Sequence, residues 1–403
     1  MPTPPPTAFG VLPYDWESRR PWLDLPFPVE EYQGRLARVG AAMASRGVAR
    51  LVLFGAPKQS GNLRWLANFD SFVGYTALVV PAAGDPVLVT DSLFRREPMQ
   101  SGAWMTWVKD YRPARPAAGD PEGFVGAVLE AAGGAAGGPV GFVGEDFFPY
   151  FLSHRLRAAL GLVPILDLTP DYLHLKAVKT EAELAVVRRA VAIGDAGLQA
   201  ACAAIKPGAT EAEVAAACVA AMFAAGAHNL YGPFPVNVAS GPRLMLKSVP
   251  PSPRPLEPGD LVFLDIEPEH YGYGTDLART AAAGEATPER RSLLEAALQA
   301  EEAAIAAARP GATLRDLEGA AAAVAEGLGF PRGYYCKVHG LGTTKFRDVP
   351  RPDDLDYALR AGEVINCESI LVVPGLGQAT VEDSLLVTER GREVLSTAPR
   401  RLW

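Results

Sequence analysis

The spacing of hydrophobic positions changes near residue 176, and that change divides the chain. Before it, short apolar runs alternate with stretches of helical spacing. Residues 29–48 repeat apolar positions at helical intervals, and ARLVLFG (49–55) is a continuous run expected to be a buried strand. YTALVVP (75–81), DPVLVTD (85–91) and VPILDLT (163–169) read the same way, NLRWLANF (62–69) reads as a further strand, and 144–160 contains a helix. Strands alternating with helices predict an α/β domain over 29–175. Residues 1–28 hold PTPPP and further prolines around Trp16 and Trp22, a composition that predicts an extended arm.

After 176 the texture is different. Residues 176–205 predict a long amphipathic helix with acidic residues near its start, and 206–226 a turn with Thr210 as N-cap followed by a second helix. Residues 289–329 repeat long helix, turn and helix. The repeat can be counted: Pro207-Gly208-Ala209-Thr210 recurs as Pro310-Gly311-Ala312-Thr313, 103 residues later. Each half then enters a β-branched run. PGDLVFLDIEPEHYGYGTDLART begins at 258 and has Asp265 on its first strand and Asp276 near its second. RAGEVINCESILVVPGLGQATVEDSLLVT begins at 360 and has Glu368 and Glu382 in the matching places. Asp265 and Glu368 are again 103 apart. Two such halves predict a pseudo-two-fold domain over 176–403, with helices covering one face of a curved sheet.

Antiparallel hairpins would set Asp265 against Asp276 and Glu368 against Glu382, each pair on one face. Like charges directly opposite destabilise a sheet, so two apolar hairpins that both carry them call for a cation. Hard carboxylate oxygens with an imidazole suit zinc, manganese or cobalt, and four carboxylates neutralise two such ions. Of five histidines, His339 in KVHGLGTTKF is singled out, because it follows an aromatic-rich strand and precedes a glycine turn.

Composition adds mainly exclusions. With 49% hydrophobic and 21% charged residues the 403-residue chain reads as a soluble globular protein of two domains. A net charge of −8 without a basic stripe argues against a nucleic-acid partner. The Ala-rich run 214–227 is too short and too weakly apolar to span a bilayer, no basic segment followed by an apolar one stands at the start, so no secretory signal is expected, and GxGxxG and GxxxxGK[ST] are both absent. Four scattered cysteines without CxxC spacing read as free thiols in a reducing compartment, so a cytoplasmic location is expected.

The series Asp265, Asp276, His339, Glu368, Glu382 resembles the five metal ligands of the pita-bread metallopeptidases: prolidase, Xaa-Pro aminopeptidase and methionine aminopeptidase, with creatinase sharing the fold without the metal. VKTEAEL, KPGATEAEV, the HGLG turn and VEDSLLVTERG match in the same order, and the region before them looks like the creatinase/prolidase N-terminal domain. The resemblance implies an α+β protein with a creatinase-like α/β domain ahead of a pita-bread domain. It also implies two divalent metal ions, a metal-activated water as nucleophile, Glu368 as the base taking its proton, a short peptide as substrate, and a homodimer.

The substrate pocket departs from the family. The family's His-Tyr-x-Pro-x-x-Arg reads SVPPSPR here, with Ser248 at the histidine, and RDVP stands where His-Glu-x-Pro is usual, placing Arg347 near the second histidine. His228 is a candidate replacement for one lost role, and Arg347 or Lys345 for gripping a substrate carboxylate. Glu267 stands where the family has Gly, and Thr380 where it has Arg two residues before the last ligand. These departures keep a second reading open: a small-molecule enzyme on the same fold, such as a dimethylsulfoniopropionate-type lyase with Glu267 as a further ligand, or a creatinase-like enzyme. A non-catalytic relative is a third, and the complete ligand set counts against it.

Overall fold

Each long helix of the second half begins at a threonine that closes its own first turn. Thr180, Thr210 and Thr313 accept from the backbone N–H three residues on, while Glu183, Glu213 and Asp316 reach back to the cap backbone. Such a box satisfies two of the amides a helix start leaves bare and contributes about 1 kcal/mol. The computed structural model describes residues 16–71, 74–91, 105–114, 119–134, 137–230, 236–246, 249–330, 334–344 and 348–402. The first fifteen residues of the expected arm, Ser248, Lys345 and Arg347 lie outside the described residues. Two compact units result, one through Lys176 and one from Ala177.

The first unit runs α1 (Trp16–Arg19), α2 (Val29–Ser45), β1 (Arg50–Gly55), α3 (Gly61–Ala67), β2 (Thr76–Pro81), β3 (Val87–Asp91), β4 (Asp110–Ala114), α4 (Pro121–Ala131), β5 (Val140–Val143), α5 (Tyr150–Leu160), β6 (Ile165–Asp167) and α6 (Thr169–Ala177). Its mixed sheet has the order β4-β3-β2-β1-β5-β6. Val52, Phe54, Val79 and Phe142 of the sheet pack with Phe124 and Leu152 of α4 and α5.

Two expectations for this unit are corrected. Residues 62–69 are mostly the helix α3, not a strand. Leu63, Trp65, Leu66 and Ala67 are all buried, and an apolar run buried on several faces does not reveal its period. Asn68, in the left-handed conformation, ends the helix. Residues 16–22 of the arm are also not extended, since Trp16–Arg19 is a helical turn and Arg20–Trp22 a 3-10 turn, and extended backbone resumes at Leu23. The reason is Arg19, fully buried, whose guanidinium donates to the carbonyls of Thr106 and Val108.

The second unit runs α7 (Glu181–Ala204), α8 (Glu211–Ala224), β7 (Asn229–Leu230), β8 (Val236–Ser240), β9 (Leu261–Ile266), β10 (Pro268–His270), β11 (Tyr273–Gly274), β12 (Leu277–Ala282), α9 (Pro288–Ala307), α10 (Leu314–Gly327), β13 (Tyr334–Gly340), β14 (Val364–Val373), β15 (Gly377–Thr388) and β16 (Gly391–Val394). A seven-stranded antiparallel sheet has the order β13-β14-β15-β12-β9-β8, with β16 against β15. The repeat holds in the hydrogen bonds. Gly208 N–H donates to Leu256 and Gly311 N–H to Leu359, and the bridges Thr210–Pro255 and Thr313–Ala358 match.

Each helix pair has its own core. Leu198, Val214 and Met222 pack with Val238, Val262 and Leu264. Leu293, Leu294 and Leu317 pack with Val338, Ile365, Cys367 and Leu385. Strand alternation therefore turns Lys337, His339, Asn366, Glu368, Glu382 and Ser384 to the face away from α9 and α10.

Within that core lies Glu301 of α9, fully buried. Burial, and then the charge of Asp383, raise its carboxyl well above the usual range, against the Ser369 hydroxyl and the Arg279 guanidinium. The folded state thus holds a proton that the unfolded chain loses near pH ~4.3, and stability falls as pH rises from there through the folded value. Glu301→Gln keeps the shape without the titration. Its stability advantage over the natural protein is expected to grow with pH above about 5, by about 1.4 kcal/mol for each unit of elevation traversed. Thermal melts of both proteins from pH 4 to 9 measure it, and a constant difference in Tm would contradict it.

Candidate metal centre

The sheet register places the carboxylates in two adjacent rows. Lys337 pairs with Glu368, Glu368 with Glu382, Glu382 with Ala278, Ala278 with Asp265, and Asp265 with Asn237. These six positions form one row across six strands, and the smallest side chain, Ala278, sits in the middle. In the next row His339 pairs with Asn366 and Asn366 with Ser384. Continued one step past the end of β12, the same register brings in Asp276 and then Glu267.

Glu368 and Glu382 are directly opposed, as the hairpin reading has it. Asp265 and Asp276 are not, which corrects that reading. Asp265 faces Ala278, and Asp276 lies diagonally two residues earlier on the same face. The cause is the first hairpin's tip. The chain leaves β9 at Ile266, turns through Tyr271 and Gly272, both at positive φ, and rejoins the main sheet only at Leu277.

Ligand-capable atoms of Asp276, His339 and Glu382 all lie within 4.8 Å of one another, and all three side chains are buried. Asp265, Glu267 and Asp276 form a second such group at the same limit. Asp276 belongs to both. His339 Nδ1 is 3.1 Å from the Gly340 carbonyl, and a proton donated there leaves Nε2 as a lone pair 3.5 Å from Asp276 Oδ2. Gly340 is required because a Cβ there would overlap the backbone carbonyl of Val349.

Polar neighbours hold the acids. Asn366 Nδ2 donates to Glu382 Oε1 at 2.5 Å, Asn237 Nδ2 donates to Asp265 Oδ2 at 3.2 Å, and the Ser384 hydroxyl donates to Asn366 Oδ1 at 3.1 Å. Lys337 Nζ is 2.7 Å from Glu368 Oε2. Burial works to lower the Lys337 ammonium, but Glu368, Glu382 and Asp276 outweigh it and raise the group above its usual value. Glu382 moves the same way as a carboxyl: burial first, then Asp276, Glu368 and Asp265, hold it well above the usual range. The donor set is four acids and an imidazole around buried negative charge, which fits divalent cations.

A model of metallopeptidase family M24 matches residues 185–389, half of the chain. The chain belongs to metallopeptidase family M24. It is 31% identical over 386 residues to the probable dipeptidase PepE of Mycobacterium tuberculosis, covering 93% of this chain and 97% of that protein. It is 32% identical over 230 residues to the Xaa-Pro dipeptidase of Pyrococcus furiosus, 57% of this chain and 65% of that one. The crystal structure of dipeptidase PepE from Mycobacterium ulcerans superposes with a TM-score of 0.77 at 30% identity, covering 93% and 98% of the two chains. The prolidase of Pyrococcus horikoshii OT3 gives a TM-score of 0.78 at 22% identity, covering 92% and 100%, and shows the shared pita-bread fold. The M24 assignment makes this chain an enzyme of a metal-dependent peptidase family. Among the described residues no helix is long and apolar enough to cross a membrane.

Other sequence candidates in this M24 chain are placed as follows. His228 is exposed at the hairpin tip, its ring 4.7 Å from His270 and 4.3 Å from Tyr271, and its Nδ1 accepts from the Tyr271 N–H. His270 Nδ1 is 2.9 Å from the carbonyl of Gly226, just past the end of α8. Lys337 and Asn366 escaped the sequence reading, although each stands two residues before a candidate ligand and so on its face. Asn237 gave no signal, because only the register brings it beside Asp265.

Behind the row, Arg279 donates to Asp383 Oδ1 at 2.8 Å and to the carbonyls of Glu382 and Pro399 at 2.6 and 3.0 Å, while Arg400 holds Asp383 Oδ2 at 2.7 Å. Breaking a buried pair costs about 3–5 kcal/mol, and the remaining Arg400 contact puts Arg279→Met at the lower end. Urea unfolding is the measurement. A loss under about 1 kcal/mol would mean that the C-terminal segment is held without it.

Proposed function

We propose that this M24 chain is an Xaa-Pro dipeptidase or Xaa-Pro aminopeptidase-type enzyme that hydrolyses short peptides at a dinuclear centre. Asp265, Asp276, His339, Glu368 and Glu382 are its ligands, and zinc, manganese or cobalt its metal. The observation that carries the reading is the mutual approach of three buried side chains, Asp276, His339 and Glu382, from adjacent rows of the sheet and from both halves of the repeat. The named dipeptidase and Xaa-Pro dipeptidase relatives support the substrate class.

Bound divalent ions supply Lewis-acid polarisation of a carbonyl and an acidified water. The chain's own part is positional. Asn366 and Asn237 fix the orientation of Glu382 and Asp265, and the Gly340 carbonyl fixes His339 with Nε2 toward the acids. Glu368 is the proposed acceptor of the water's proton. Arg347 is proposed to grip the substrate carboxylate, and His228 to serve the substrate pocket in place of a lost histidine. A cytoplasmic homodimer is the proposed working form.

One observation favours a second reading. Ligand-capable atoms of Glu267, Asp265 and Asp276 lie within 4.8 Å of one another, so a further acid stands beside the five, as in a metal-dependent lyase acting on a small molecule.

The test is hydrolysis of Xaa-Pro, Xaa-Pro-Yaa and non-proline peptides by chelator-stripped protein given zinc, manganese or cobalt. Activity is expected to return with metal, and Asp276→Ala and Glu382→Ala to lose more than about 10²-fold, since metal contributes several kcal/mol to the transition state. Binding of two ions without cleavage of any peptide would overturn the peptidase reading. Turnover of dimethylsulfoniopropionate under those conditions would then support the second.

A further inference from the structure

Strands β13, β14, β15, β12, β9 and β8 hold two lysines or arginines between them, Arg279 and Lys337. Arg279 faces the helices and is tied to Asp383. Lys337 faces the acids, directly across from Glu368, with its Nζ 2.7 Å from Glu368 Oε2. Exposure on that face of β13 rises along the strand. His339 is fully buried, the Lys337 side chain is 14% exposed and Tyr335 is 51% exposed. Lys337 thus stands between the buried donor set and solvent. Resting on the peptidase reading above, we propose that Lys337 is a further catalytic residue, whose ammonium donates to the oxyanion that forms from the scissile carbonyl.

Reach and charge both favour this role. Water attacks the carbonyl carbon while its proton passes to Glu368, so the new C–O bond forms beside the carboxylate on which Lys337 rests. The carbonyl π pair moves onto its own oxygen, and the ammonium donates a hydrogen bond there while keeping its proton. Collapse breaks the C–N bond, and the leaving nitrogen takes the proton from Glu368. Glu368 loses charge as the oxyanion gains it, so the stronger partner of the ammonium changes during the step. The flexible lysine stem lets Nζ follow that change. A contact that strengthens only in the transition state lowers the barrier, whereas one equally strong to the resting substrate does not.

Natural protein, Lys337→Met, Lys337→Gln and Lys337→Arg are loaded with manganese and assayed on the best-cleaved peptide of the panel above, with bound manganese counted by elemental analysis. Calorimetry gives the affinity of each protein for a phosphinate analogue of that peptide, whose tetrahedral anionic centre imitates the oxyanion. In Lys337→Met and Lys337→Gln, kcat is expected to fall about 10²–10³-fold, the loss that removing one oxyanion donor brings, with KM within about threefold. Phosphinate affinity is expected to fall about tenfold or more in the same two variants, and bound manganese to stay as in the natural protein. Lys337→Arg keeps the charge and is expected to recover most of the rate. Two neutral variants guard against one that folds poorly. A kcat within about threefold of the natural value in both would overturn this inference and leave the peptidase reading standing. So would a lower kcat in both that comes with lost manganese or with unchanged phosphinate affinity. Failure of the natural protein to cleave any peptide would overturn that reading, and this inference with it.

Discussion

Repulsion between buried carboxylates on neighbouring strands is the constraint that shapes the second unit. Glu368 and Glu382 face each other, Asp265 lies across Ala278 from Glu382, and Asp276 reaches both groups of acids. A sheet does not gain stability from such an arrangement. It is tolerated because the surrounding groups answer the charge: amides from Asn366 and Asn237 and an ammonium from Lys337. Glu382 registers the cost, its carboxyl held well above the ordinary range by burial and its neighbours.

The fold meets this constraint by duplication. Each half supplies a capped helix pair, a glycine turn and a strand pair carrying two acids, and the sheet joins the halves where β12 meets β15. Ala278 sits at that seam, and a larger side chain would fill the gap between Asp265 and Glu382. Helix pairs cover the opposite face with Leu, Val and Ala, so strand alternation separates the apolar core from the acids. Arg279 closes the arrangement from behind, tying β12 to the backbone of Glu382, to Asp383 and to the C-terminal segment at Pro399.

Much of the second unit was legible in the sequence for local reasons. Cap residues, glycine turns and helical periodicity are set by neighbours in the chain, so α7 to α10 and the two strand pairs were readable, as was the offset of 103 residues. The first unit was less legible. α3 hid its period because nearly all of it is buried, and the turns at Trp16–Trp22 depend on Arg19 reaching carbonyls far along the chain. Departures from the family pattern were visible as letters. What they face was not, and Glu267 shows the difference, since its approach to Asp265 and Asp276 needs a register fixed by the hairpin tip.

The sequence by itself determined the repeat, the alternation that puts acids on one face of each strand, and the residue types suited to a divalent cation. These follow from spacing along one strand or helix. Only the tertiary structure decided which acids share a row, that Asp276 stands diagonal to Asp265, and that Lys337 meets Glu368. Each of those depends on the register between strands tens of residues apart, and register is set by turn geometry and by which face the helices bury.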